Sequence, residues 1–341
     1  MNPRITKYRF LVGMTWLDVS DPLGKGEQIL DEFRVTNDKA IVSKFLTGDL
    51  TRSLGGLECQ ALLNANSIIY LEATTDLEMD PSTANGILTG FLHWTSMFTT
   101  ALWLVKDNAV NFELGFLEVW TPSGEHRTHS NFLAMTVQMA DGAKPKVTFN
   151  RDELRQARNM FRNMIFPLSK WKAEEVETPI KMPAGQESVI AFRPDVPRLR
   201  RAFYFLEAAR SFRDMGMKIA MYCSLFETLF STDASEITHK IAHRIAVFLE
   251  QDPEGRCALY NRIKKAYGIR SKVVHGDEIK MAAKMVQAIS VEVDEISRRI
   301  ILKLGSSEEL FNQFHASKDE LDKYFLKESF GGAPAPNITS K

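Results

Sequence analysis

The chain reads as two halves with different hydrophobic patterns. Short apolar runs separated by turn residues dominate the first half, and beyond Pro197 apolar positions recur every three or four residues in nearly continuous helix. Tyr8 to Val19 is one apolar run, closed by Ser20-Asp21-Pro22-Leu23-Gly24, and Ile29 to Phe45 and Ser67 to Ala73 give further strand candidates. Pro81 to Val105 contains no charged residue. Ile87, Phe91, Trp94, Phe98, Leu102 and Val105 form one helical stripe, and Thr89, His93, Ser96, Thr100 and Trp103 form another. That spacing predicts an amphipathic helix with a neutral polar face buried in a domain, in preference to a membrane span. Strand patterns return at Val110 to Trp120 and Asn131 to Met139, with turns at Pro122-Ser123-Gly124 and Asp141-Gly142. A helix is expected from Asp152 to Ile165, with Leu154, Ala157, Phe161 and Met164 inward and Arg151, Arg155, Arg158 and Arg162 as a basic ridge.

Ser169 to Pro197, with four prolines, marks the connection between the halves, and Val189 to Phe192 within it offers a last strand. The expected organisation is an α+β domain over 1–180, a linker over 181–197, a helical domain over 198–328 and a disordered tail over 329–341. Helices are predicted over 198–214, 217–231, 235–251, 254–275, 277–304 and 307–326. In the fifth of these, Ile279, Ala282, Val286, Ile289, Val293, Ile296 and Ile300 make a seam that fits packing within a bundle or a dimer contact.

Composition adds little to this picture. Hydrophobic residues are 44% and charged residues 25%, as in ordinary globular proteins. Lys and Arg together equal Asp and Glu at 43 each, so any nucleic-acid site must be a local basic patch. Cys59, Cys223 and Cys257 are widely spaced and suggest neither a metal framework nor a disulfide one, which fits a reducing compartment and hence the cytoplasm. The apolar run near the start lacks a cleavage pattern and reads as a strand, which leaves the Asn337-Ile338-Thr339 sequon without meaning.

The candidate chemistry lies in Arg270-Ser271-Lys272-Val273-Val274-His275-Gly276. An Arg gives a fixed cationic fork for a phosphate, and a His can move a proton near neutral pH. Positions 270 and 275 lie about 140° apart on an ideal helix, whereas Ser271 and His275 share a face. Gly276 predicts a helix end there, where the dipole favours imidazolium by about 0.3–1 kcal/mol. Glu227, among Leu225, Phe226, Leu229 and Phe230, is expected to be partly buried and therefore paired, with Arg270 as its partner. His239 and His243 are one turn apart, but Lys240 follows where a zinc protease would have Glu, and no third ligand is evident. Lys240 and Arg244 would make that helix basic on its outer side. There is no Walker loop, dinucleotide fingerprint or nucleophile elbow.

The Arg-x4-His run, with Tyr267 before it and Gly276 after it, resembles the signature of HEPN ribonuclease domains in their ApeA-like branch. Ser224 to Ser231 is similar to that branch's Ala-Leu-Glu-x-Leu-Phe-Ser segment, and Ser235-Glu236-Ile237 and Arg244-Ile245-Ala246 follow in order. The resemblance spans Arg198 to about Leu304. It implies a metal-independent endoribonuclease of an antiphage, abortive-infection or toxin type, without a cofactor. Arg270 and His275 would be catalytic, and Ser271 and Glu227 would support them. RNA would be held by a patch including Lys240, Arg244 and Lys272. The reaction needs an acid and a base and each chain brings one motif His, so a homodimer through the helical domain is expected. The N-terminal domain would sense a trigger or partner. Ser271 departs from the Asn, Asp or His that many wider members carry after the Arg. The alternative is a non-catalytic HEPN module binding RNA or a partner protein.

Overall fold

Arg9, Phe10, Leu11 and Val12 are all buried, although alternate residues of a strand point to opposite faces. Both faces of this strand must therefore be covered, and the computed structural model shows how. It describes residues 4–78, 81–133, 136–169, 196–233, 237–315 and 317–330. Contacts divide the chain into two compact units, Met1–Glu177 and Thr178–Lys341.

In the first unit β1 (Arg4–Thr15) lies inside a six-stranded sheet with β3 (Glu27–Leu30), β4 (Phe33–Thr36), β5 (Ser67–Glu78), β6 (Asn111–Trp120) and β7 (His126–Phe132), in the order β3-β4-β5-β1-β6-β7. Every adjacent pair is antiparallel, and Phe10 stands between Leu71 and Leu117. Helix α4 (Pro81–Val105) covers one face, where Tyr8 and Phe10 both meet Phe91. The other face packs Leu11, Ile68, Tyr70 and Phe116 against Val42, Phe45, Leu50, Leu54 and Leu62 from α1 (Lys39–Phe45), α2 (Gly48–Ser53), α3 (Gly56–Asn64) and their connections. A second pairing, β2 (Leu17–Val19) parallel to β8 (Val147–Phe149), precedes α5 (Arg151–Met160), which continues through a π-helical turn, Phe161–Ile165, into α6 (Phe166–Ser169).

The uncharged segment 81–105 is the amphipathic helix its stripes predict. Ser96 and Thr100 of the polar stripe are buried, with the Thr100 hydroxyl on the Ser96 carbonyl. Thr95 and Thr99, outside that stripe, are buried too, with their hydroxyls on the Phe91 and Ser96 carbonyls. Among the described residues no helix is long and apolar enough to cross a membrane. Leu154, Ala157, Phe161 and Met164 are buried as expected. The basic ridge is partly offset: Arg155 and Arg158 both approach Glu27, and Arg151 donates to the Pro22 carbonyl.

Three strand expectations need correction. Tyr8 to Val19 is broken at Trp16, whose φ of 64° ends β1 and starts β2. Ile29 to Phe45 is not one extended run. Asp31 turns a hairpin with φ 45°, and the Asp38 carboxylate caps α1 by accepting from the Ala40 N–H. The strand expected over 131–139 lies earlier, at His126–Phe132, because Thr121 to Glu125 already closes the hairpin through Thr121 N–H to Glu125 O. Helices α2 and α3, and the short β8, were not anticipated. The expected strand over 189–192 lies outside the described residues.

The second unit is helical among its described residues: α7 (Arg198–Ser211), α8 (Met215–Phe230), α9 (Ile237–Leu249), α10 (Pro253–His275), α11 (Ala283–Leu304), α12 (Glu308–His315) and α13 (Lys318–Phe330). Helix α8 packs against α7, α9, α10 and α11 and is apolar almost all round, as a central helix must be. Its C-terminal carbonyls are satisfied by two arginines. Arg244 Nη1 donates to Phe230 O at 2.7 Å, and Arg198 Nη1 donates to Ser231 O at 2.8 Å.

The helix expected over 277–304 begins only at Ala283, because Gly276 ends α10 and residues 277–282 form the connection. Val286, Ile289, Val293, Ile296 and Ile300 are buried within this single chain, so the seam is bundle packing. The helix expected over 307–326 is two helices, α12 and α13. The second runs on to Phe330, two residues into the expected tail, with Phe325 buried near its end.

Candidate functional site

Helix α10 carries the Arg and the His, and both its ends are explicit in the sequence. The Asp252 carboxylate accepts from Gly255 N–H at 2.7 Å with Pro253 in the first turn, which starts the helix. Gly276 stops it at φ 76°, with Asp277 N–H to Lys272 O at 2.8 Å and Gly276 N–H to Val273 O at 3.4 Å. These two bonds are those of a Schellman end, so His275 is the last helical residue. Gly216 on α8 closes the packing from the other side. A Cβ there would lie 2.7 Å from Val273 Cγ2 and 3.3 Å from Ile279 Cδ1.

Arg270 and Glu227 meet, as a half-buried carboxylate requires. Arg270 Nη2 is 3.0 Å from Glu227 Oε1 and 3.1 Å from Oε2, and the two side chains are 31% and 23% exposed. Burial pushes the Glu227 carboxyl above its ordinary value, opposed by the Arg270 charge and a hydrogen bond with Tyr267. Tyr267 lies in the run that carries the resemblance, and the sequence alone gives it no role. Its ring lies 5.9 Å from the Arg270 guanidinium, and its hydroxyl also reaches the Cys223 carbonyl at 3.3 Å. Burial pushes the Tyr267 phenol well above its ordinary value, so it stays a neutral donor. Two side chains hold the guanidinium, Glu227 by charge and Tyr267 by its ring, and the Tyr267 hydroxyl steadies Glu227 in turn. The readable signal was the i, i+3 spacing of Tyr267 and Arg270 on one helix.

His275 and Ser271 are exposed, and no hydrogen bond joins them among the described residues. The imidazole is placed by the helix end alone. Lys272, half-buried, lies in the same last turn.

The two cations expected on α9 behave differently. Lys240 pairs with Asp233 at 2.8 Å near the surface. Arg244 turns inward: besides Phe230 O it reaches Thr232 Oγ1 at 3.2 Å, pairs with Asp322 of α13 and lies 5.2 Å from the Phe325 ring. It ties three helices together, so of the two expected cations Lys240 alone stays on the outer side of α9. His239 and His243 face solvent on that side, their rings 6.4 Å apart, with Tyr260 Oη 2.8 Å from His239 Nδ1. Among the described residues no group of three or more His, Cys, Asp or Glu is arranged to hold a metal ion.

The first unit has two features that the sequence did not suggest. Arg9 and Glu118 form a buried pair at 3.1 Å. His126 Nε2 adds a 3.0 Å contact to Glu118, and Glu72 lies 3.1 Å from Arg9. Separately, a cavity of about 560 Å³ opens between the ends of β1 and β6 and helix α3, with Trp16, Leu57, Leu114 and Phe116 among its walls.

Comparison with protein-family models, with curated proteins and with solved structures finds no match to this chain.

Proposed function

We propose that the helical unit is a metal-independent endoribonuclease of the HEPN kind, used in antiphage or abortive-infection defence or as a toxin, and acting in the cytoplasm. The observation that carries this reading is the clamped Arg270, held by Glu227 and Tyr267 one turn before the exposed His275. The ribose 2′-hydroxyl attacks the adjacent phosphorus and the 5′-oxygen leaves. One strand then ends in a 2′,3′-cyclic phosphate and the other in a 5′-hydroxyl. An imidazole accepts the 2′-hydroxyl proton and a second donates to the leaving oxygen, while Arg270 stabilises charge on the non-bridging oxygens. Each chain supplies one such imidazole, so the active unit is a homodimer in which two copies of His275 divide the roles of base and acid. Ser271 contributes to the exposed face around His275, and Lys272 adds positive charge beside it. The N-terminal unit senses the trigger or binds a partner.

Incubation of the purified chain with mixed RNA in EDTA tests the reading. Cleavage that disappears in both His275→Ala and Arg270→Ala, with the helical content unchanged, supports it. Full activity in either variant refutes the assignment. Ser271→Ala is expected to cost less than either, because among the described residues the Ser271 hydroxyl makes no hydrogen bond to His275 that could be lost. An excess of His275→Ala chains should poison wild-type activity beyond simple dilution once subunits exchange.

One observation favours a second reading. The imidazole has no orienting partner among the described residues, as suits a non-catalytic module that binds RNA or a partner protein. RNA binding without cleavage would establish that reading.

A further inference from the structure

From Gly255 to Gly276 the chain carries Arg256, Arg262, Lys264, Lys265, Arg270 and Lys272 and no Asp or Glu, in a protein whose formal net charge is zero. Only Arg270 of these six has a carboxylate partner among the described residues. This stretch is almost the whole of α10, so its charge is laid along one rod. At 100° per residue, Tyr260, Lys264, Gly268, Ser271 and His275 fall within about 80° of one another around the helix. All five are exposed or half-buried. With a rise of about 1.5 Å per residue, the line from Tyr260 to His275 is about 22 Å long, enough for several nucleotides of an extended strand.

Gly268 sits at the middle of that line. A glycine inside a helix is unfavourable for backbone entropy, and packing does not explain this one, because a Cβ there would meet nothing within 4 Å. What it provides is bare backbone against which a ligand can lie close.

The far end of the line is a cluster of two cations of α10, Arg256 and Lys264, with two histidines of α9. His239 Nδ1 is 2.8 Å from Tyr260 Oη, Lys264 Nζ lies 5.3 Å from the Tyr260 ring, and the His243 ring is 6.4 Å from that of His239. Arg256 Nε is anchored on the Glu250 carbonyl at 2.9 Å, which steadies the guanidinium. Burial first, then the charges of His239, Arg244 and Arg256, push the His243 imidazole below its ordinary value, so His243 meets a phosphate as a neutral hydrogen-bond donor and the charge comes from Lys264 and Arg256.

We infer that the outer face of α10 is a track for single-stranded RNA, running from His275 across Gly268 to an anion subsite made by Lys264, Tyr260, Arg256, His239 and His243. Phosphates are held at the two ends and the strand crosses the bare turn between them. The inference rests on the ribonuclease reading for the identity of the ligand, and it adds residues that neither the Arg-x4-His run nor the α9 patch contains.

The test compares a twelve-nucleotide oligouridylate with a dinucleotide substrate, using the full chain. The dinucleotide occupies only the His275 end. Lys264→Ala combined with Arg256→Ala should lower kcat/KM on the long substrate at least tenfold, mainly through KM, and leave the dinucleotide unchanged within twofold. Gly268→Leu, which adds a side chain in open space, should reproduce that split. Equal losses on both substrates, or no loss on the long one, would overturn the track. So would a change in sedimentation of Gly268→Leu, which would assign the face to a second copy of the chain. Failure of the catalytic reading is separable. If the wild type binds the oligonucleotide without cutting it, and the variants lose that binding tenfold, the track stands and the nuclease does not. A wild type that binds neither RNA overturns the track.

Discussion

Replacing Arg244 by Ala should destabilise the helical unit by about 3 kcal/mol. The side chain is 12% exposed, so its interactions are only slightly weakened by solvent. Loss of the charged donor to the Phe230 carbonyl costs about 1.5–3 kcal/mol, because that carbonyl closes the central helix and Arg244 is its side-chain donor among the described residues. The pair with Asp322 is discounted to about 0.5 kcal/mol, since Asp322 is 44% exposed. Contact with the Phe325 ring adds about 0.5–1 kcal/mol. A loss of 3 kcal/mol is roughly a hundredfold in the folded-to-unfolded ratio, or about 1–2 M in urea midpoint for a unit of this size. The two units can be followed separately, because all five tryptophans, at 16, 94, 103, 120 and 171, lie within Met1–Glu177. Urea titration should show a large shift in the far-ultraviolet helical signal and none in tryptophan fluorescence. Lys240→Ala is the control, since its pair with Asp233 is half-exposed and should change the midpoint by no more than about 0.5 kcal/mol. An Arg244→Ala variant as stable as wild type but weakened in RNA binding would refute the reasoning and return Arg244 to the binding surface.

Other expectations follow from the same geometry. Gly276→Ala forces a side chain into the left-handed region at φ 76° and should cost about 1–2 kcal/mol by urea titration, fraying the turn that carries His275. Burial raises the Glu72 carboxyl, but hydrogen bonds from Lys7 and Arg9 outweigh it, and Lys106 and the Asn150 N–H do the same for Glu153. Both sit below 4.5 in the folded chain, so the stability they add is present above that value and is lost as pH falls below it; the tryptophan-reported midpoint should drop there, and less so in Lys106→Met. Gly115→Val should cost about 1–3 kcal/mol in the same assay, because a Cβ at 115 already lies 2.6 Å from Leu92 Cδ2.

The helical half was the more legible, for a physical reason. Its periodicity is local and repeated over many turns, so α7 to α10 could be placed from spacing and caps, and α11 except for its first turns. Short helices give no such redundancy. Among their own residues α2 and α3 each bury a single leucine, Leu50 and Leu62, and one apolar position carries no period. The Thr47 hydroxyl, which accepts from Leu50 N–H, was the remaining signal. The Glu227–Arg270 pair was readable because a carboxylate among apolar neighbours needs a cation. The inward turn of Arg244 was not, because its partner Asp322 lies 78 residues away on a helix whose start was misplaced.

Gly216 places a steric stop at the mouth of the proposed site. With hydrogen as its side chain, the first turn of α8 lies against Val273, two residues before His275. Any larger group must push Val273 aside and swing the end of α10 with it. Residue 216 therefore acts as a ruler for the position of the imidazole. A series from Gly through Ala to Val there would move His275 in graded steps while leaving the Arg270 clamp, one turn further in, where it is.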